Sequence, residues 1–130
     1  MRTDVLATEL IIAMYFASGV DKIFNFQKTK NKFIEKSNVS PEFAQIVIFA
    51  AMIFLIVVPV YLKLSVYKKD AKGIKMYSNL LLGFTILATL LYHFPPNGKN
   101  YYPFMSNINA LGGLLLLYVY ADVYADKKSI

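Results

Sequence analysis

The sequence predicts an all-α fold, a four-helix transmembrane bundle, and three observations carry that prediction. Four apolar stretches of near-spanning length occupy most of the 130 residues. Linkers rich in lysine separate them. The chain is 57% hydrophobic, with a mean hydropathy of +0.46 in spite of a formal net charge of +6. A hydrocarbon core about 30 Å thick takes about 20 helical residues to cross. Within it the backbone has no water to bond, so a spanning segment must close its own hydrogen bonds as a helix. Small soluble domains bury the smaller share of their surface, so a compact bundle in water does not suit this composition. The expectation is one integral membrane domain over 1–130, with helices at about 5–24, 43–63, 76–94 and 104–122.

The first stretch, Val5–Val20, is interrupted only by Glu9 and can extend to Phe26. A cleaved leader is the weaker reading, because Arg2 is offset by Asp4 and Glu9 sits inside the would-be apolar core. An intramembrane acid is a functional candidate by default. Glu9 is also only about a turn and a half inside its helix, near enough to reach the interface or to pair with Lys63. Glu9, Ala13 and Ala17 share one helical stripe, which is expected to face partner helices. The second stretch, Phe43–Leu62, has no charge, and Pro59 is expected to kink its exit. Lys28–Pro41 reads as a basic linker before it.

The third stretch, Met76–Phe94, is also uncharged. At 100° per residue Leu80, Leu81, Phe84, Leu87, Ala88 and Leu91 fall on one half, expected toward lipid. Ser78, Asn79, Gly83, Thr85, Thr89 and His93 fall on the other, expected toward partner helices. The fourth, Phe104–Tyr120, begins with Ser106, Asn107 and Asn109, and offers Ser106, Ala110 and Gly113 for close backbone approach. Gly112 and Gly113 are both expected at a tight helix–helix contact.

Several chemistries are excluded. Without cysteine there is no disulfide, thiolate catalysis or cysteine-held metal or cluster. The single histidine cannot ligate a haem from both sides or build a metal site within one chain. No glycine-rich dinucleotide motif is present. No catalytic residue and no metal ligand set are assigned, and the chain alone is expected to catalyse no redox turnover. The basic residues lie in linkers, where they suit anionic lipid headgroups rather than nucleic acid.

With four spans, both termini and the middle linker share one side. That side carries Arg2, Lys63, Lys68, Lys69, Lys72, Lys75, Lys127 and Lys128, against Lys22, Lys28, Lys30, Lys32, Lys36 and Lys99 on the other. Eight positives against six place both termini in the cytoplasm. Glu9 and His93 then lie near opposite faces, so they cannot form a dyad. At the non-terminal face a polar crown gathers Asp21, Lys22, Asn25, Glu42, Gln45, His93, Asn107 and Asn109. It reads either as end-capping and interfacial anchoring or as a pocket lined by Lys22, Asn25, His93 and Asn107. Phe24, Phe26, Tyr92 and Phe94 would supply its aromatic walls.

Ser18-Gly19-Val20-Asp21-Lys22-Ile23-Phe24-Asn25-Phe26 after a first membrane helix resembles the signature of the DoxX-like family. His93-Phe94 at the end of the third helix and Asn107-Ile108-Asn109-Ala110-Leu111-Gly112-Gly113 in the fourth add to it, and the likeness covers essentially the whole chain. The resemblance implies a four-helix integral membrane protein associated with quinone-linked oxidation or membrane redox complexes. Its carried-over positions are Gly19, Lys22, Asn25, His93, Asn107, Gly112 and Gly113. Two departures remove charge-relay candidates. Thr8 and Glu9 stand where many relatives have an arginine, and there is no intramembrane glutamate near Met52–Phe54. Two function classes follow. One is a non-catalytic structural or assembly subunit in contact with lipid, other membrane subunits or a second copy of itself. The other is an auxiliary subunit of a quinone-linked complex, binding a quinone-like ligand in the crown.

Overall fold

A computed structural model describes residues 2–125, and their regular structure is entirely helical. Lys127 and Lys128, which entered the charge count, lie outside the described residues. The elements are α1 (Thr3–Phe24), α2 (Phe26–Ser37), α3 (Pro41–Lys68), α4 (Ala71–Tyr92) and α5 (Tyr101–Tyr120). A 3-10 turn, Gly98–Asn100, leads into α5, and a π turn, Ala121–Ala125, follows it. α1, α3, α4 and the segment Gly98–Val123 are each long and apolar enough to cross a membrane. Only 17% to 28% of each spanning window is buried within the bundle, so most of the apolar side-chain surface faces outward. That is the arrangement expected of a multi-pass membrane protein in contact with lipid.

α2 departs from the expected linker at Lys28–Pro41. No glycine or proline interrupts Phe26–Ser37, and Phe26, Thr29, Phe33 and Ser37 recur at near-helical spacing. Phe33 is buried, which anchors α2 to the bundle. Asn38 ends the helix in the left-handed region at φ 60°, a conformation asparagine adopts more readily than most residues. Ser40 then caps α3 by accepting from the Phe43 amide at 3.2 Å, with Pro41 in the first turn. At the other end of the bundle Lys69, at φ 57°, and Asp70, whose carboxylate accepts from Gly73 N at 3.2 Å, turn α3 into α4.

α1 packs chiefly on α3, α3 on α4 and α4 on α5, and α5 returns to α1. The shared core contains Ile12, Tyr15, Leu55, Leu62, Leu81 and Leu114. α1 is rotated from the expected orientation, and α4 departs from it at a few positions. In α1 the buried residues are Thr8, Ile12, Tyr15 and Gly19, whereas Glu9, Ala13 and Ala17 are exposed. In α4 Ser78, Thr85 and Thr89 are buried and Leu80, Leu87 and Leu91 exposed as expected, whereas Asn79 and Gly83 face outward and Leu81 is fully buried. Lipid is as apolar as leucine, so polarity alone does not choose the inward face. Shape and packing choose it, even though the fully buried Ser78 Oγ has no hydrogen-bond partner among the described residues. Thr8, Thr85 and Thr89 can be buried because each hydroxyl donates to the carbonyl four residues back, at 2.8, 2.6 and 2.6 Å.

The glycines divide similarly. A Cβ on Gly19 would come 2.8 Å from Ile56 and 3.3 Å from the Leu55 backbone carbon, so α1 and α3 meet there closely. One on Gly113 would meet Ile11 at 3.2 Å. Gly112 is a correction: it is exposed, and a Cβ there would meet nothing within 4 Å. Consecutive helix positions differ by 100°, so two adjacent glycines do not share one seam.

The ends of the spanning helices opposite α2 are tied by charge. Arg2 donates to Asp4 at 2.6 Å and to the Val66 and Tyr67 carbonyls at 3.0 and 2.6 Å, and the Tyr120 hydroxyl donates to Asp4 at 2.6 Å. Lys75 pairs with Asp122. Glu9 pairs with Lys63 at 2.7 Å, both side chains 44% exposed, so this acid is matched by a neighbouring helix. The start of α1 and the end of α5 therefore lie at the same end of the bundle.

Candidate functional site

At the opposite end, α1, α2, α3 and α4 enclose a pocket of about 530 Å³ to which α5 contributes Asn107. It exists because α2 lies across the mouth of a cleft between the spanning helices. The deeper part is formed by Tyr15, Leu55, Phe84 and Thr85, and its walls by apolar residues of α3 and α4 such as Ile48, Ala51, Ala88 and Leu91. Ser18, Asp21, Lys22 and Asn25 from α1, Lys28, Lys32 and Phe33 from α2, and Tyr92 and His93 from the end of α4 form the mouth. From Lys22 down to Tyr15 is seven residues of α1, about 10 Å of helical rise.

The four pocket residues expected from the sequence, Lys22, Asn25, His93 and Asn107, thus line one cavity. Lys22 Nζ donates to Ser18 Oγ at 3.0 Å, one turn back on α1. Asn25 donates to the Asp21 carboxylate at 2.8 Å. Asn107 reaches from α5 to donate to Thr89 Oγ1 at 2.8 Å, leaving its amide oxygen and second N–H for other partners. His93 follows the last residue of α4. Partial burial and then the positive charges of Lys32 and Lys36 hold its pKa below the usual 6.5, against an opposing hydrogen bond that the ring donates to Asn100.

Below the mouth, the Tyr15 hydroxyl and Thr85 Oγ1 are 2.6 Å apart. Thr85 spends its only hydroxyl proton on Leu81 O, so Tyr15 is the donor and keeps its oxygen free to accept. A ligand entering from the mouth would meet ammonium groups first, then aliphatic and aromatic walls, then this tyrosine. Small-molecule sites have this character, an apolar cavity of roughly 300–1,000 Å³ with a few convergent polar groups.

Several crown residues are elsewhere. Glu42, Gln45 and Asn109 are exposed and outside the pocket lining. Phe24 and Phe94 are 79% and 58% exposed, and of the four expected aromatic walls only Tyr92 lines the cavity. Phe33, Phe84 and Tyr15 take the place of the others. Sequence reasoning missed those three together with Lys28 and Lys32. The helical recurrence of Phe26, Thr29 and Phe33 was the available signal for the α2 contribution. Glu9 is at the other end of the bundle, paired with Lys63. The chain matches no protein-family model, no curated protein and no solved structure.

Proposed function

We propose that this chain is a non-catalytic subunit of a membrane that holds a lipid-soluble ligand in the pocket beneath α2. The observation that carries the reading is the cavity itself, about 530 Å³, apolar in depth and polar only at its mouth and beside Tyr15. The DoxX-like resemblance belongs to the same proposal, since four of its carried-over positions, Lys22, Asn25, His93 and Asn107, line that cavity. Other membrane subunits would then meet the outward apolar faces, and the chain would contribute a binding site to their assembly.

The test is a plug. Ala88 lies on the pocket wall, so the indole of Ala88→Trp would occupy the cavity, and its unfolding temperature checks that the bundle is retained. Native mass spectrometry of the protein in mild detergent should find a bound small molecule on the native chain and none on Ala88→Trp. Equal occupancy of both would end the reading.

Auxiliary binding of a quinone within a redox complex is a second reading, favoured by Phe84, Tyr92 and Asn107 lining the same cavity. Such a subunit needs a partner to supply or accept electrons. Reduced quinone and an artificial acceptor offered to the protein in liposomes should give no turnover above empty liposomes. Protein-dependent turnover lost in His93→Ala would assign chemistry to the pocket.

A further inference from the structure

The two ends of the bundle balance their charges differently. Opposite α2, Asp4 meets Arg2, Glu9 meets Lys63 and Asp122 meets Lys75. At the pocket mouth, Lys22, Lys28 and Lys32 are accompanied by one carboxylate, Asp21, which Asn25 already engages. None of the three lysines forms an ion pair among the described residues. Lys32 instead stands 5.6 Å from the centre of the Tyr92 ring, and the hydrogen bond Lys22 makes goes to the neutral Ser18 hydroxyl, with Asp21 acting on it only from beyond ion-pair distance.

Lys22 is the informative one. It is partly buried and sits at the boundary between the mouth and the apolar walls. An ammonium group taken out of water without a directly paired counter-charge is unfavourable, and a matching anion in contact with it relieves that cost. Ser18 uses one of the three ammonium donors, so two remain for a ligand. The pocket below is lined by Ile48, Ala51, Leu55 and Ala88, which offer a hydrocarbon tail nothing but apolar contact.

From this juxtaposition we propose that the pocket receives an acidic amphiphile, whose carboxylate or phosphate head sits on Lys22 with Lys28 and Lys32 around it and whose single chain or ring descends toward Tyr15 and Phe84. The inference rests on the pocket being a ligand site, and it names the ligand's charge. Head and tail match the depth profile of a bilayer, polar at the interface and hydrocarbon about 10 Å further in. The His93 pKa is pushed down first by burial, and the further lowering by Lys32 and Lys36 marks the surroundings of the ring as electropositive.

Two photoreactive probes separate the possibilities, a diazirine-bearing palmitic acid and its methyl ester, each added to the native chain in phosphatidylcholine nanodiscs. They share a tail and differ in charge. The acid should label pocket-lining segments of α1, α3 and α4 at least fivefold more than the ester. Excess oleate or lysophosphatidate should suppress that labelling, and whichever competes better identifies the head as carboxylate or phosphate. Lys22→Gln should abolish the preference for the acid and Lys22→Arg should keep it, with unfolding temperatures showing that both variants fold. The comparison of acid with ester on the native chain stands even if a variant fails to fold. Equal pocket labelling by both probes, competed by a neutral quinone, would overturn the acidic head and leave the ligand pocket standing. No competable labelling of the pocket by either probe, and no competition by quinone, would overturn both.

Discussion

The Tyr15 hydroxyl donates to Thr85 Oγ1 across 2.6 Å of buried space, joining α1 to α4 beneath the pocket. Thr85 passes the polarity on to Leu81 O, so every hydrogen in this short chain has an acceptor. Within a membrane bundle such an interhelical bond contributes modestly, because the dissociated helices also find partners in the bilayer. Tyr15→Phe should therefore destabilise the protein by about 0.6 kcal/mol, and by no more than about 1.7 kcal/mol. Reversible unfolding in mixed micelles measures this. A loss well above that range would mean that the hydroxyl does more than tie α1 to α4.

The glycines give a paired prediction. Gly19→Ala drives a methyl to within 2.8 Å of Ile56 and against the Leu55 backbone, which cannot move aside cheaply. Overpacking of this kind is destabilising by about 1–3 kcal/mol. Gly112→Leu projects into open space beside α5 and should change stability by less than about 0.5 kcal/mol. Thermal unfolding in detergent compares the two directly. A large effect at Gly112 would place an unseen partner, a second copy included, against that face.

His93 is the single histidine, so its titration can be followed without assignment ambiguity. The groups that bear on it come from several elements: Lys32 and Lys36 on α2, Asn100 in the turn before α5, and Lys22, Asp21 and Asn107 around the same mouth. Its folded pKa is depressed below 6.5. Above pH 6.5 the ring is neutral whether the chain is folded or unfolded, and its contribution is fully present. As pH falls from 6.5 through the folded pKa, the unfolded state takes up the proton first and that stability is lost. The NMR midpoint should lie below 6.5, move up in Lys32→Gln or Lys36→Gln, and move up again when an acidic amphiphile is bound. A midpoint at or above 6.5 in the empty protein would contradict the electropositive mouth.

Orientation has its own test, helped by the absence of native cysteine. Gln27 on α2 and Lys72 at the start of α4 are both exposed and lie at opposite ends of the bundle. The lysine count predicts both termini, and hence Lys72, on the cytoplasmic side. In intact cells an impermeant maleimide should label Gln27→Cys, and it should label Lys72→Cys only after lysis. The reverse pattern would invert the assignment.

Much of this architecture was legible in the sequence because the bilayer imposes a length rule. A stretch such as Phe43–Leu62, uncharged over the thickness of the hydrocarbon core, has few alternatives to a spanning helix. The same rule put Lys22, Asn25, His93 and Asn107 at one depth, since chain direction and helical rise are enough to say which helix ends share a face. The pairing of Glu9 with Lys63 was open to the same reasoning, with snorkelling as its alternative.

The sequence by itself thus determined the spans, their alternating direction and the depth of each polar residue. Tertiary structure decided how each helix is rotated and what covers the pocket. Glu9, Ala13 and Ala17 turn outward while Thr8, Ile12 and Tyr15 turn in, and Gly112 faces out while its neighbour Gly113 packs on Ile11. Rotation in lipid depends on shape fit between specific neighbours, because water does not penalise an apolar face turned outward. α2 depended on tertiary structure for a related reason. Twelve residues are too few to hold a helix alone in water, and it is Phe33 buried against the bundle that fixes it over the mouth and brings Lys28 and Lys32 to Lys22.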